Sequence, residues 1–249
     1  MAKPSSRVLL WWRLVWLRSG KTHSLTGKCA AIRTKSNEED VAKKRTQPGA
    51  AVGVAEHGNS AELITIAPDG KLLDRRRIDL THGLPTHPYH HEGSWAVGRY
   101  VNSAWARPIS LADAIALVER VRVAAAKGAQ ESLETLAATT SAPITSIAIR
   151  VCPKLPPTTE ERIADSRAAN VADSVMYREA LAKAAEARGW SVHWYDRDSV
   201  FRDAAAVLGK KDVEAFLNAM GRSIGPPWQA KHKLAAAAAI AATTPRNRH

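Results

Sequence analysis

The stretch AAVGVAEHGNSAELITIAPDGKLLDRRRIDL, residues 50–80, decides the fold. Its first part, 50–58, is apolar and ends in polar residues, which predicts a buried strand followed by a turn. The segments 61–67 and 71–80 flank a Pro-Asp-Gly turn, and Asp-Gly tolerates the positive φ of a tight hairpin. We therefore expect three antiparallel strands at the start of the folded region.

Helices and strands alternate after a long loop, residues 81–109. Ser110 stands three residues before Asp113, a capping pattern that predicts a helix to about residue 138. The run ITSIAIRV, 144–151, is apolar without alternation, as in a central strand covered on both faces. The sequence thus places a first helix and a fourth strand after the hairpin.

A second capping pattern, Thr158 with Glu161, begins a helical region that runs to Arg188 and that we expect to break near Asn170. A fifth strand over 190–196, two short helices and a last helix over 231–242 complete the pattern. The order β-β-β-α-β-α-β-α implies a mixed five-stranded sheet with helices on both faces. This α/β order is similar to that of the ribonuclease H-like fold.

Charge is distributed unevenly along the chain. The 249 residues carry a formal net charge of +12, and residues 1–48 alone hold 11 Lys and Arg against 3 Asp and Glu. We expect 1–48 to be a basic, disordered leader, 49–243 a ribonuclease H-like domain, and 244–249 a polar tail. The mildly cationic body permits phosphate binding without requiring it.

Cysteine content and hydropathy narrow the class of protein. Cys29 and Cys152 show no paired spacing, which argues against a disulfide framework and favours a reducing, cytoplasmic location. The apolar stretch 7–18 is shorter than the roughly 20 residues of a membrane-spanning helix and is interrupted by Arg13. We therefore expect no membrane association.

Three stretches resemble the RuvC-type Holliday-junction resolvases: NVADSVMYREALAKAAEARGW (170–190), LGKKDVEAFLNAM (208–220) and KHKLAAAAAIAA (231–242). The resemblance implies a nucleic-acid-binding nuclease fold, with DNA favoured over RNA as the partner. It also implies a divalent-metal site, Mg or Mn, built from acids on the first strand, the fourth strand and the last helix.

The chain departs from that metal site at each position. Gly53-Val54-Ala55 stands where the family has an acid at the third position, and Glu56 comes one residue later, which should turn it to the other face of the sheet. Arg150 replaces the acid of the fourth strand, and the last helix contains no acid. The leading hypothesis is therefore a nucleic-acid-binding domain that does not cleave by the usual carboxylate mechanism.

Two other hypotheses stay open. An active metal-dependent endonuclease with a rebuilt site would use Glu56, Asp165 or Asp173, and His232. A non-catalytic protein-interaction scaffold would use the fold without touching nucleic acid. The sequence also leaves open a homodimer.

Candidate binding residues fall into two groups. Basic, aromatic and polar side chains suited to phosphate or base contact are Arg75, Arg76, Arg77, Arg99, Arg107, Asn170, Tyr177, Lys231 and Lys233. The stretch THPYHHEGSW (86–95) supplies imidazole and carboxylate groups that suit zinc, namely His87, His90, His91 and Glu92. A hydrogen-bonded polar loop is the alternative for that stretch, because the spacing is not that of a helical zinc motif.

Overall fold

The structure is a computed structural model that describes residues 49–89 and 109–243. The strands are β1 (Ala50–His57), β2 (Ser60–Ile66), β3 (Leu72–Asp79), β4 (Ile144–Arg150) and β5 (Ser191–Tyr195). The helices are α1 (Leu111–Thr139), α2 (Thr159–Ala164), α3 (Ser166–Ala187), α4 (Val200–Leu208), α5 (Val213–Ile224) and α6 (Ala230–Ala242). This order confirms the one predicted from sequence.

The five strands form one mixed sheet in the order β3-β2-β1-β4-β5. β1 pairs antiparallel with β2, and β2 pairs antiparallel with β3. β4 runs parallel to β1, and β5 runs parallel to β4. The predicted ribonuclease H-like sheet is therefore confirmed, and it places the carboxyl ends of β1, β4 and β5 at one edge.

Side chains alternate between two cores, one on each face of the sheet. On the face covered by α1 and α3, which we call the α3 face, Val52 and Ile147 pack with helix residues such as Leu133 and Leu181. The opposite face, which we call the α6 face, buries Ala51, Ala55 and Ala148 against the alanines of α6. Alternation therefore assigns the buried residues of β1 to the two cores in turn.

The α6 helix approaches β1 closely because both contribute small residues. A Cβ on Gly53 would lie 1.8 Å from the carbonyl oxygen of Ala235. The alanine run 235–239 is fully buried at this contact. The alanine-rich sequence of the last helix thus reflects backbone-to-backbone packing on the sheet.

Capping side chains set the helix boundaries. Ser110 and Thr158 cap α1 and α2 as predicted. The expected break near Asn170 was misplaced: the carboxylate of Asp165 accepts hydrogen bonds from the amides of Arg167 and Ala168, so α3 begins at Ser166. A carboxylate cap satisfies amides at the first turn, so the helix starts there rather than at the asparagine.

A membrane-spanning helix needs a certain length and apolar character. In residues 49–89 and 109–243, no helix is both long and apolar enough to cross a membrane.

Candidate nucleic-acid interface

Glu56 lies on the α3 face, whereas Ala55 lies on the α6 face. The β1–β2 register is continuous from Ala51 to His57, so no bulge of that pair re-aims the glutamate. The one-residue step therefore has the effect expected from the period of a strand. Ala55, the position at which the sequence resemblance implied an acid, has no ligating group.

Glu56 is neutralised by an arginine that the sequence analysis did not single out. The Nε of Arg178, on α3, donates to Oε1 of Glu56 at 2.7 Å, and its Nη1 donates to the carbonyl of Val151 at 2.9 Å. Both side chains are at most 7% exposed. The Glu56 carboxylate therefore neutralises the buried charge of Arg178, and its oxygens are not free to bind a metal ion.

Cys152 lies beside the same arginine. Burial raises the pKa of its thiol, while the charge of Arg178 and its hydrogen bond act in the opposite direction with smaller effect. A raised pKa leaves the sulfur as a thiol at neutral pH, and a thiol is a poor nucleophile. The cysteine is therefore unsuited to nucleophilic catalysis.

Asp173 is buried in the α3 core and is bound by the loop that follows β3. Its Oδ1 accepts the backbone N–H of Tyr89 at 3.0 Å, and its Oδ2 lies 3.5 Å from Nδ1 of His87. Burial raises the pKa of Asp173 to about 7, with a smaller opposing effect from the Tyr89 hydrogen bond. Both oxygens of this carboxylate thus face the loop rather than an open site.

The helix face around Asp173 differs from the one expected. Tyr177 is buried, its hydroxyl donates to the carbonyl of Thr86 at 2.9 Å, and burial raises its pKa to about 12. Of the two candidate contact residues on α3, Tyr177 is therefore inside the protein and only Asn170 is exposed.

His232 lies on the α6 face, at the first turn of α6. Its Nδ1 accepts the backbone N–H of Gln229 at 2.9 Å, and its Nε2 lies 3.4 Å from Oε2 of Glu62 on β2. The indole ring of Trp228 stacks on the imidazole with centroids 5.7 Å apart. Burial lowers the pKa of His232, with smaller opposing effects from Glu62. This neutral, stacked imidazole caps a helix.

Glu62 was not recognised from the sequence, although it is a lone acid in the apolar run AELITIA. The strand register places it directly across from Ala55. Lys231 holds its other oxygen, with Nζ 2.6 Å from Oε1. The one acid beside Ala55 on β2 is therefore already paired with a cation.

The proposed catalytic groups do not converge. Glu56 pairs with Arg178 on the α3 face, His232 contacts Glu62 on the α6 face, and Asp165 is an exposed helix cap. Within the part of the chain that the structure describes, no three His, Cys, Asp or Glu side chains are grouped so as to hold a metal ion. The predicted metal ligands His90, His91 and Glu92 and the arginines Arg99 and Arg107 lie outside the described residues.

The basic stretch of β3 is partly committed to structure. Arg75 donates to the carbonyls of Gly225 and Pro227 at 2.9 and 2.8 Å. Arg76 donates to both oxygens of Asp74 at 2.7 Å, and Arg77 is 61% exposed with a loose 3.5 Å contact to Asp79. Of these three guanidinium groups, that of Arg77 is the most accessible to a phosphate.

Arg150 ends β4 on the α6 face, in line with Ala148 and Ser146. It forms no ion pair with any carboxylate of the described residues, and the same is true of exposed Arg197 and of half-buried Lys233. Burial raises the pKa of the Tyr195 hydroxyl, and the positive charges of Arg150 and Arg197 lower it by smaller amounts. Cations without paired acids suit an anion rather than a metal ion.

No family model matches the chain, and no curated protein matches it. Among solved structures, Thermus thermophilus RuvC in complex with a Holliday junction substrate is 13% identical, with a TM-score of 0.40 over 77% of this chain and 90% of that one. A second Thermus thermophilus RuvC structure is also 13% identical, with a TM-score of 0.38 over 77% of this chain and 92% of that one. The strand order and the strand directions carry the fold assignment.

Proposed function

We propose that this domain binds nucleic acid, DNA in preference to RNA, and that it does not cleave by a carboxylate-held metal. One observation supports this most directly. Where the α6 face would need two acids to hold a divalent ion, it has Ala55 and Arg150, and neither can ligate a cation. A guanidinium at that place is suited to a phosphate oxygen.

Further cations support the proposal. Arg77, proposed from sequence, is 61% exposed. Lys233, also proposed from sequence, forms no ion pair with a carboxylate of the described residues, and neither do Arg150 and Arg197. The preference for DNA is supported by the resemblance of residues 170–190, 208–220 and 231–242 to the resolvases. We assign Lys231 a smaller role in phosphate binding than the unpaired cations, because Glu62 neutralises its charge.

The test uses the full chain with labelled four-way, single-stranded and duplex DNA and a matched RNA. Retardation and cutting are scored on the same gels, in Mn²⁺ and in chelator. We expect retardation in both buffers and no cutting. Metal-dependent cutting would contradict the proposal in favour of a rebuilt nuclease, and an absence of retardation at low salt would contradict it in favour of a protein scaffold.

Arg150→Gln provides the specific test of the interface. Removal of one cation that binds a phosphate should reduce the slope of log affinity against log salt by about 0.9 for duplex DNA. We expect Arg150→Gln to reduce the slope by about this amount and to weaken binding at all sequences alike. Lys127→Gln is the matched control, because Lys127 is 74% exposed on α1, across the sheet from Arg150. Equal slopes for wild type and Arg150→Gln would exclude this arginine from the interface.

A further inference from the structure

Residues 84–89, which we call the strap, cross the surface of α1 and α3 after β3 ends. No backbone-to-backbone hydrogen bond joins these six residues to any other residue of the described ranges. Pro85 and Pro88 have no N–H to donate. Gly83 precedes the strap with a φ of 67° and open space around it, a conformation that favours glycine. The strap is therefore attached by side chains rather than by a backbone ladder.

Three side chains of two helices attach the strap. Asp173 accepts the N–H of Tyr89 at 3.0 Å, and one turn further along α3 the hydroxyl of Tyr177 donates to Thr86 at 2.9 Å. From α1, Arg122 donates to the hydroxyl of Tyr89 at 2.9 Å. The Tyr89 ring is fully buried in the α3 core. The end of the strap is thus anchored by the buried Tyr89 ring and by hydrogen bonds to its amide and its hydroxyl.

The docked strap keeps the Asp173 carboxyl group out of water, and burial of this group costs free energy. The side chain of Asp173 is 4% exposed, and its described partners are one neutral N–H and the half-exposed imidazole of His87. A buried ionisable group with so few partners is destabilising unless it is compensated. Release of the strap would return this carboxylate to water, which offsets part of the loss of the Tyr89 contacts.

We infer that the strap is a releasable element, which detaches from α1 and α3 as a unit while the sheet and both helices stay folded. Release removes the strap contacts of Asp173, Tyr177 and Arg122 together. Release of the strap does not require nucleic acid.

Hydrogen exchange of the full chain tests the inference. The reference amides are Val52 in β1 and Val118 in α1, both fully buried. If the strap detaches as a unit, the Tyr89 amide exchanges faster than both references, at a rate nearly independent of low denaturant concentrations. If Tyr89 exchanges only together with Val52 in a global unfolding, the inference is overturned.

Two variants loosen the strap without touching its backbone. Tyr177→Phe removes the bond to Thr86, and Arg122→Gln, at a half-exposed site, removes the bond to the Tyr89 hydroxyl. Losing one such hydrogen bond should speed exchange at Tyr89 by about five-fold and leave Val52 unchanged. Glu179→Gln, on the exposed side of α3, is the control and should change neither. Equal acceleration at Tyr89 and Val52 in both variants would show that the strap is an inseparable part of the core.

Discussion

The carboxylate of Glu56 and the guanidinium of Arg178 meet inside the α3 core, from positions 122 residues apart in the chain. Neither charge would be tolerated there alone, because the transfer of an unpaired charge from water into the core costs several kcal/mol. The pair therefore joins the end of β1 to the middle of α3. Its contribution depends on both partners being present.

This dependence gives a first prediction. Arg178→Met should lower the free energy of unfolding by about 3–5 kcal/mol, because it leaves the Glu56 carboxylate buried and unpaired. The double variant Glu56→Leu/Arg178→Met should recover most of that loss. Urea unfolding of the wild type, both single variants and the double variant measures the coupling. Losses that simply add would show that the two residues act independently.

The raised pKa of Asp173 gives a second prediction, at neutral pH. The folded-state pKa is about 7 and the ordinary value is 3.8, so the folded protein binds this proton more tightly than the unfolded chain. The stabilising contribution is complete below about pH 4 and is lost as the pH rises through 7. Between pH 5 and pH 8 the wild type should lose roughly 2–3 kcal/mol from this group alone.

Asp173→Asn removes that titration while keeping a side-chain oxygen to accept the Tyr89 N–H. The free energy of unfolding of the variant should therefore vary less with pH over the same interval. Urea unfolding at pH 5, 6, 7 and 8 gives the comparison. Parallel pH profiles for the two proteins would place the titrating group elsewhere.

At the scale of elements, the contact between α6 and β1 leaves no room for a side chain at residue 53. Gly53→Ala would place a methyl group 1.8 Å from the carbonyl oxygen of Ala235, so α6 would have to move away from the sheet. We expect a loss of about 3 kcal/mol or more, at the upper end for overpacking of a core. Ala206→Gly, exposed on α4, should cost only about 1 kcal/mol, and thermal melts compare the two. Similar melting temperatures for the two variants would mean that α6 adjusts freely.

Elements were predictable from the sequence because their signals are local. The hairpin turn and the caps of α1 and α2 lie within a few residues of the elements that they define, and all were found. The start of α3 was misplaced because Asp165 and Asn170 are both good N-cap residues, and only the chain path from α2 selects between them. Strand period alone correctly placed Glu56 on the opposite face from Ala55.

The partners of buried charges could not be predicted in the same way. Arg178 resembles any basic residue of a helix, and Glu62 resembles a polar interruption of a strand. Their partners are distant in sequence, and only the packed sheet shows that Glu62 meets Lys231 and His232. Equally, Tyr177 was a candidate contact residue because the sequence could not show that the strap covers it.

At the scale of the whole molecule, net positive charge is concentrated in residues 1–48. They hold 11 of the 36 Lys and Arg but only 3 of the 24 Asp and Glu. If nucleic acid is the partner, these cations should add to the non-specific part of the affinity. We expect the full chain to show a steeper salt dependence on duplex DNA than a chain of residues 49–249. Identical slopes from fluorescence titrations would mean that the first 48 residues contact no phosphate.

Ala55 and Arg150 each stand two residues beyond Gly53 and Ala148, which are paired partners on neighbouring strands. An aspartate introduced at 55 would therefore face a guanidinium before it could face an ion. A mutational path towards metal binding has to replace Arg150 first, since the reverse order creates a salt bridge that stabilises the ion-free state. The order in which substitutions arise would thus decide whether a metal centre can form at this place in the fold.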